Sequence, residues 1–161
     1  MGNGIGERTL WTSTFGRSIQ VLANAQGALW KTGGVTMDWT DVPAVGANAT
    51  TYYTGDVVAG GKVTFEDNVQ VLTGEKVLRY GSVIYKKVDG TYALATDATG
   101  ALVKGETFVV NETWLEEDLM SNHPGVLDAG KVFKARLLVG GAGQPTLAGF
   151  NTAMPGILFA D

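Results

Sequence analysis

The chain has 161 residues, carries 12 Lys and Arg against 16 Asp and Glu for a formal net charge of −4, and contains no cysteine. That length suits one domain, the absence of thiols excludes disulfide staples, Fe–S clusters, thiol catalysis and Cys-ligated zinc, and the acidic balance argues against a face that holds nucleic acid, which needs clustered Lys and Arg. The 23 glycines, about twice the usual share, imply many turns.

In chain order, the opening Met1-Gly2-Asn3-Gly4-Ile5-Gly6-Glu7-Arg8 lacks the basic and apolar regions of a signal peptide. No apolar run anywhere approaches the ~18 residues of a membrane span, so no membrane contact is expected. Thr9-Leu10-Trp11-Thr12-Ser13-Thr14-Phe15 is β-prone with no hairpin partner nearby, and Ile19 to Trp30 reads as a weak helix of mostly small residues. Three of the four tryptophans (Trp11, Trp30 and Trp39) fall within residues 1–59, a composition that suits a segment ordering against something rather than a disordered tail. Residues 60–140 then show short alternating runs punctuated by Gly, Asp and Asn, the strand rhythm of a small barrel or sandwich. Strands are predicted at Lys62–Glu66, Val69–Leu72, Ser82–Lys87, Tyr92–Ala95, Thr107–Val110 and Val132–Val139. Asp89-Gly90 is the strongest hairpin signal, because Gly accepts the positive φ of a tight two-strand turn, and Asp97-Ala98-Thr99-Gly100 reads as another turn. Thr113 followed by Glu116 forms a capping-box pattern, predicting one short helix from Trp114 to Ser121 that Pro124 stops. Gly141 to Asp161 mixes Gly and Pro with Leu147, Phe150, Ile157, Leu158 and Phe159 and reads as an apolar C-terminal tail. The expected architecture is therefore mainly β: a small barrel or sandwich at residues 60–140 with one short helix, an N-terminal arm at 1–59 and a C-terminal arm at 141–161.

No chemical motif converges. His123 is the single histidine and stands beside Pro124 without a second ligand or an evident triad. Gly2-Asn3-Gly4-Ile5-Gly6 has no preceding strand, and Gly140-Gly141-Ala142-Gly143 leads to Pro145 rather than a helix, so neither is a phosphate loop. Gly61-Lys62 lacks the upstream Gly of a Walker loop. Asn48-Ala49-Thr50 and Asn111-Glu112-Thr113 match the glycosylation tripeptide only formally. Glu116, Glu117 and Asp118 suit a helix start better than a pair of glycosidase carboxylates, which need a fixed separation across a cleft. Lys86-Lys87 lies near a hairpin, but the tip, where a lipoyl or biotinyl lysine would stand, holds Asp89-Gly90. Neither enzymatic activity nor a cofactor or metal is expected.

The stretch Leu78-Arg79-Tyr80-Gly81-Ser82-Val83-Ile84, with Val71 to Val77 before it and Asp89-Gly90-Thr91-Tyr92 after it, resembles the head decoration (capsid cement) proteins of tailed bacteriophages, the family of the phage lambda decoration protein. The resemblance covers about residues 69–140. It implies a β-rich structural protein of the virion, a homotrimer on the outer face of an icosahedral capsid, assembled in the host cytoplasm and cementing major capsid protein subunits without chemistry. Acidity agrees with an outer position, since an interior protein would confront packed DNA. The unpaired segment Thr9, Leu10, Trp11, Thr12, Ser13, Thr14 and Phe15 is expected to add to a capsid-protein strand, with Trp11 and Phe15 as anchors. Trp30, Trp39, Trp114 and Phe150 are expected at the oligomer interface. Two other readings compete: a phage tail, fibre or carbohydrate-binding module using Tyr52-Tyr53 and Trp residues, and a small hydrolase using scattered carboxylates.

Overall fold

A computed structural model describes residues 20–45, 52, 56–58, 62–64, 70–116 and 125–160. The fold is mainly β with one short α-helix, as the strand rhythm predicts. The strands are β1 (Leu22–Trp30), β2 (Asp56–Val58), β3 (Lys62–Thr64), β4 (Gln70–Leu72), β5 (Val77–Leu78), β6 (Val83–Lys86), β7 (Tyr92–Leu94), β8 (Thr107–Val110), β9 (Trp114–Leu115), β10 (Val126–Phe133) and β11 (Ile157–Ala160), with α1 at Leu147–Ala153.

A six-stranded sheet runs β1-β10-β8-β6-β7, with β11 joining β10 in parallel. β6 and β7 form the hairpin predicted at Asp89-Gly90: Ile84 pairs with Leu94 and Lys86 with Tyr92, while Gly90 adopts φ +91°, a conformation that favours glycine. The predicted turn at Asp97–Gly100 is also present. β2-β3-β4 form a separate antiparallel sheet, and β5 pairs with β9.

The large sheet curls back on itself. β1 lies antiparallel to β10, yet the N–H of Val21 donates to the carbonyl of Asn111 at the end of β8 (3.1 Å) and the N–H of Leu22 donates to Asn111 Oδ1 (2.9 Å). Asn111 is almost wholly buried, so this side chain ties the start of the first strand to the end of the eighth inside the protein. A second closure occurs at Gly81. Its carbonyl accepts from Leu138 N–H (2.9 Å), its φ is +81°, and a Cβ placed there would lie 1.8 Å from the Arg136 carbonyl oxygen, so only glycine lets the two segments approach.

Strands β6, β8 and the start of β10 bury both faces. Val83, Val109 and Leu127 enter one apolar cluster, capped by Phe150, Ala153 and Met154 of α1 and its exit together with Ile157. Ile84, Phe108, Val110 and Val126 enter a second, covered by Val35, Met37, Trp39 and Val42. Both-sided burial explains why Thr107-Phe108-Val109-Val110 reads as a continuous run rather than alternating.

Several expectations are corrected. Leu22–Trp30 is a strand, not a helix: its small side chains lie at a sheet edge, with irregular register between Asn24 and Leu29. The Thr113/Glu116 box does not cap a helix, because Trp114–Leu115 pair with Val77–Leu78, Thr113 Oγ1 accepts from Tyr80 N–H (3.2 Å) and the Glu116 N–H bonds the Lys76 carbonyl (3.1 Å). Among the described residues the α-helix is instead α1, where Thr146 Oγ1 caps Gly149 N–H (3.1 Å). Val132–Val139 is displaced: the strand ends at Phe133 and a 3-10 turn follows at Lys134–Arg136. Residues 20–45 and 141–160, expected as arms, supply β1, α1, β11 and much of both clusters, because a domain limited to 60–140 would leave its sheet faces bare.

Candidate functional site

Between Leu78 of the second apolar cluster and Tyr80 of the first, the buried Arg79 anchors a polar knot. Arg79 N–H donates to Tyr52 Oη (2.9 Å), the guanidinium Nη1 donates to the Tyr52 carbonyl (2.8 Å), and the guanidinium carbon lies 5.3 Å from the Tyr80 ring centroid. Tyr52 Oη and Ser82 Oγ share a 2.7 Å hydrogen bond. Burial pushes the Tyr52 hydroxyl above its ordinary pKa, against the opposing pull of Ser82 and Arg79. A phenol kept protonated does not serve as a base for Ser82, so the knot fastens residue 52 to the turn before β6 and does not activate a nucleophile.

Beside it opens a cleft of about 170 Å³ whose lining includes Asp41, Tyr52, Thr96, Gln144, Val83 and Leu138. Asp41 is the one carboxylate among the described lining residues, and Gln144 Oε1 already accepts from Gly141 N–H (2.9 Å). The volume is below the ~300 Å³ at which small-molecule sites usually begin. Among the described residues, its lining offers neither a carboxylate pair nor a nucleophile with a base. No group of three or more His, Cys, Asp or Glu side chains placed to hold a metal ion occurs among the described residues.

At the hairpin, Lys87 forms an ion pair with Asp38, which also accepts from Thr40 N–H (3.0 Å) and Thr40 Oγ1 (2.6 Å). The Lys87 ammonium, then the Thr40 donors, hold the Asp38 carboxyl far below the usual carboxylate range, and Asp38 raises Lys87 in turn. Lys87 thus bridges to the segment that covers the second cluster, while Lys86 is exposed. Gly140–Gly143 turns back through a Gly140 N–H bond to the Pro145 carbonyl (2.8 Å), in keeping with a turn rather than a phosphate loop.

The residues expected at interfaces separate. Trp30 is 47% exposed and adjoins Leu29, 59% exposed, on the outermost strand of the sheet. Trp39 and Phe150 are core residues at 8% and 0% exposure, so neither presents a surface to another subunit, and Trp114 is half-buried against the second cluster. The error has a physical source: a large aromatic in an unassigned segment fits a domain's own core as readily as an interface. Tyr52 packs against the second cluster with its hydroxyl engaged inside, which removes it as a sugar-stacking platform. Thr9, Leu10, Trp11, Thr12, Ser13, Thr14, Phe15, Asn48, Tyr53, Glu117, Asp118 and His123 lie outside the described residues. Sequence reasoning missed Asn111 and Gly81 as closure points. Asn111 stood out only as a glycosylation match, and Gly81 only within a strand motif.

Compared with protein-family models, curated proteins and solved structures, the chain matches none.

Proposed function

We propose that the protein is a capsid decoration protein: a structural module that seats on the outer face of a phage head and cements major capsid protein subunits. The observation that carries this reading is strand β1, which stands at the edge of the large sheet among the described residues and presents Leu29 and Trp30 to solvent. An exposed apolar pair on a strand edge is the kind of surface that folded monomers normally avoid and assemblies use. The Thr9–Phe15 segment enters the same reading as an arm that adds to a capsid-protein strand, and self-association as a homotrimer completes it. In this reading the module has no catalytic role and no cofactor.

The test mixes the purified chain with undecorated heads built from the major capsid protein encoded in the same genome, followed by co-sedimentation and cryo-electron microscopy. Ordered density on the outer surface, with a trimeric mass by analytical ultracentrifugation, is the expected outcome. Heads that sediment bare at saturating protein overturn the reading. Removal of residues 1–16 is expected to leave the fold and mass intact while abolishing attachment; full attachment by that truncation removes the arm from the proposal.

A further inference from the structure

The cleft of about 170 Å³ beside Tyr52 lies between two segments that are each fixed from behind. On one side, the 3-10 turn Trp39–Asp41 is held by the buried Trp39 and Val42 and by Asp38, whose side chain accepts from the Thr40 N–H (3.0 Å); Asp41 is left exposed at the cleft. On the other, the Gly140–Pro145 turn is closed by the Gln144 N–H on the Gly141 carbonyl (3.1 Å), and its Gly143 carbonyl accepts from Asp97 N–H (3.4 Å). Between them the buried Val83, Leu94 and Ala95 supply an apolar floor, with Leu138 and Pro43 beside it.

The charge of this lining has one sign. It holds Asp41 and, among the described residues, no Lys, Arg or His. The bases around it are engaged elsewhere: Lys87 pairs with Asp38, Lys76 Nζ donates to the Trp39 carbonyl (2.8 Å) and Arg79 Nη1 to the Tyr52 carbonyl (2.8 Å). The Asp41 carboxylate has no hydrogen-bond or ion-pair partner among the described residues. Two more oxygens join it on the lining. Thr96 Oγ1 accepts from Ala98 N–H (3.2 Å) and Gln144 Oε1 from Gly141 N–H (2.9 Å), and each keeps a further lone pair.

We propose that this cleft is a socket for a lysine side chain presented by a partner protein of another kind, with the methylenes against Leu94, Val83 and Leu138 and the ammonium at Asp41. Size, chemistry and charge select that occupant. The space equals that of five or six waters at ~30 Å³ each, which suits one unbranched side chain and falls short of a whole small molecule. Apolar walls beside a single unpaired carboxylate match a four-carbon stem that ends in a compact positive charge. The net charge of −4 favours a basic partner over a second copy at long range. Such a socket serves a cement protein and any other adaptor alike, and its test needs no capsid.

The experiment titrates the full chain at low salt with Nα-acetyl-lysine N-methylamide and follows the backbone amides by NMR. Saturable shifts are expected at Asp41, Leu94–Thr96 and Ala142–Gln144, in the millimolar range open to a single side chain of about five heavy atoms. The matching norleucine derivative, which keeps the stem and lacks the charge, is expected to bind about fivefold more weakly. Asp41→Asn is expected to weaken lysine binding by the same factor, and Asp128→Asn, a carboxylate on β10 outside the lining, to leave it unchanged. Thermal melts check the folding of each variant, and the norleucine comparison on the wild type carries the test should Asp41→Asn fail to fold. Absence of saturable shifts overturns the proposal, as does equal binding of the lysine and norleucine derivatives. Tighter binding of diaminopentane than of the blocked lysine also overturns it, by assigning the cleft to a free diamine. Dissociation of the chain's own assembly by Asp41→Asn, read by analytical ultracentrifugation, overturns it by assigning the cleft to a second copy.

Discussion

Two parts of one sheet are finished differently. Around β6 and β8, both faces are sealed, and all four residues from Thr107 to Val110 are buried. Along the second half of β10 and β11, only one face is sealed: Val132 and Ile157 are buried, while Lys131 and Leu158, next to them in the chain, are exposed. Where a covering layer stops, the apolar pattern changes from continuous to alternating, and Lys131 and Leu158 face outward as cross-strand partners. The sealed part holds the fold together; the half-sealed part leaves one face of the sheet exposed.

The sharpest test of that contrast sets Phe150 against Leu158. Phe150 is fully buried and stacks near Phe159, with centroids 6.4 Å apart. Phe150→Ala is expected to cost about 3–5 kcal/mol in denaturant unfolding. Leu158→Ser is expected to stay within about 0.5 kcal/mol of the wild type. Equal losses from the two substitutions would abolish the distinction between sealed and open faces.

The two closures come next in size. Gly81→Ala places a methyl group against the Arg136 carbonyl and demands a left-handed backbone from alanine. A loss of about 3 kcal/mol or more is expected from strain and displacement together. Asn111→Ala leaves the Leu22 N–H without its acceptor and should cost about 1–3 kcal/mol. It should also raise hydrogen exchange at Val21 and Leu22 more than at β7. Uniform exchange across the sheet would show that the sheet does not depend on Asn111 for closure.

Much of the sealed part was legible, because its signals are local. Thr107–Val110 is a run of β-formers that became a strand at the predicted bounds, and Asp89-Gly90 specified its hairpin. The half-sealed part was less so. Leu22–Trp30 is rich in Ala and reads as a weak helix, and only its pairing with β10, about a hundred residues away, makes it a strand. Leu147–Ala153 contains Gly149, Asn151 and Thr152, poor helix formers, so its one local signal was Thr146 as a cap. At Thr113 and Glu116 a genuine cap pattern was overridden by pairing with β5. The juxtaposition of Lys131 with Leu158 likewise exists only through the parallel pairing of β10 and β11, which nothing local in the sequence signals.

The smallest expected effect concerns the ion pair that ties the segment covering the second cluster to the β6–β7 hairpin. Asp38 is held below its ordinary pKa by Lys87 and Thr40, so its contribution to stability is complete above about pH 4, the unfolded carboxylate value, and is lost as the pH falls toward the folded one. Lys87 is raised, so its contribution persists below about pH 10 and fades only above it. Between these limits the pair is fully charged, and Asp38→Asn should lower the melting temperature by less than any core substitution above, since both side chains are partly exposed. Its signature is the pH dependence: the fall in melting temperature between pH 7 and pH 3 should be smaller in Asp38→Asn than in the wild type. An identical fall in both proteins would place the acid sensitivity in other carboxylates, with Asp89, lowered by its hydrogen bonds from Thr91, as the next to examine.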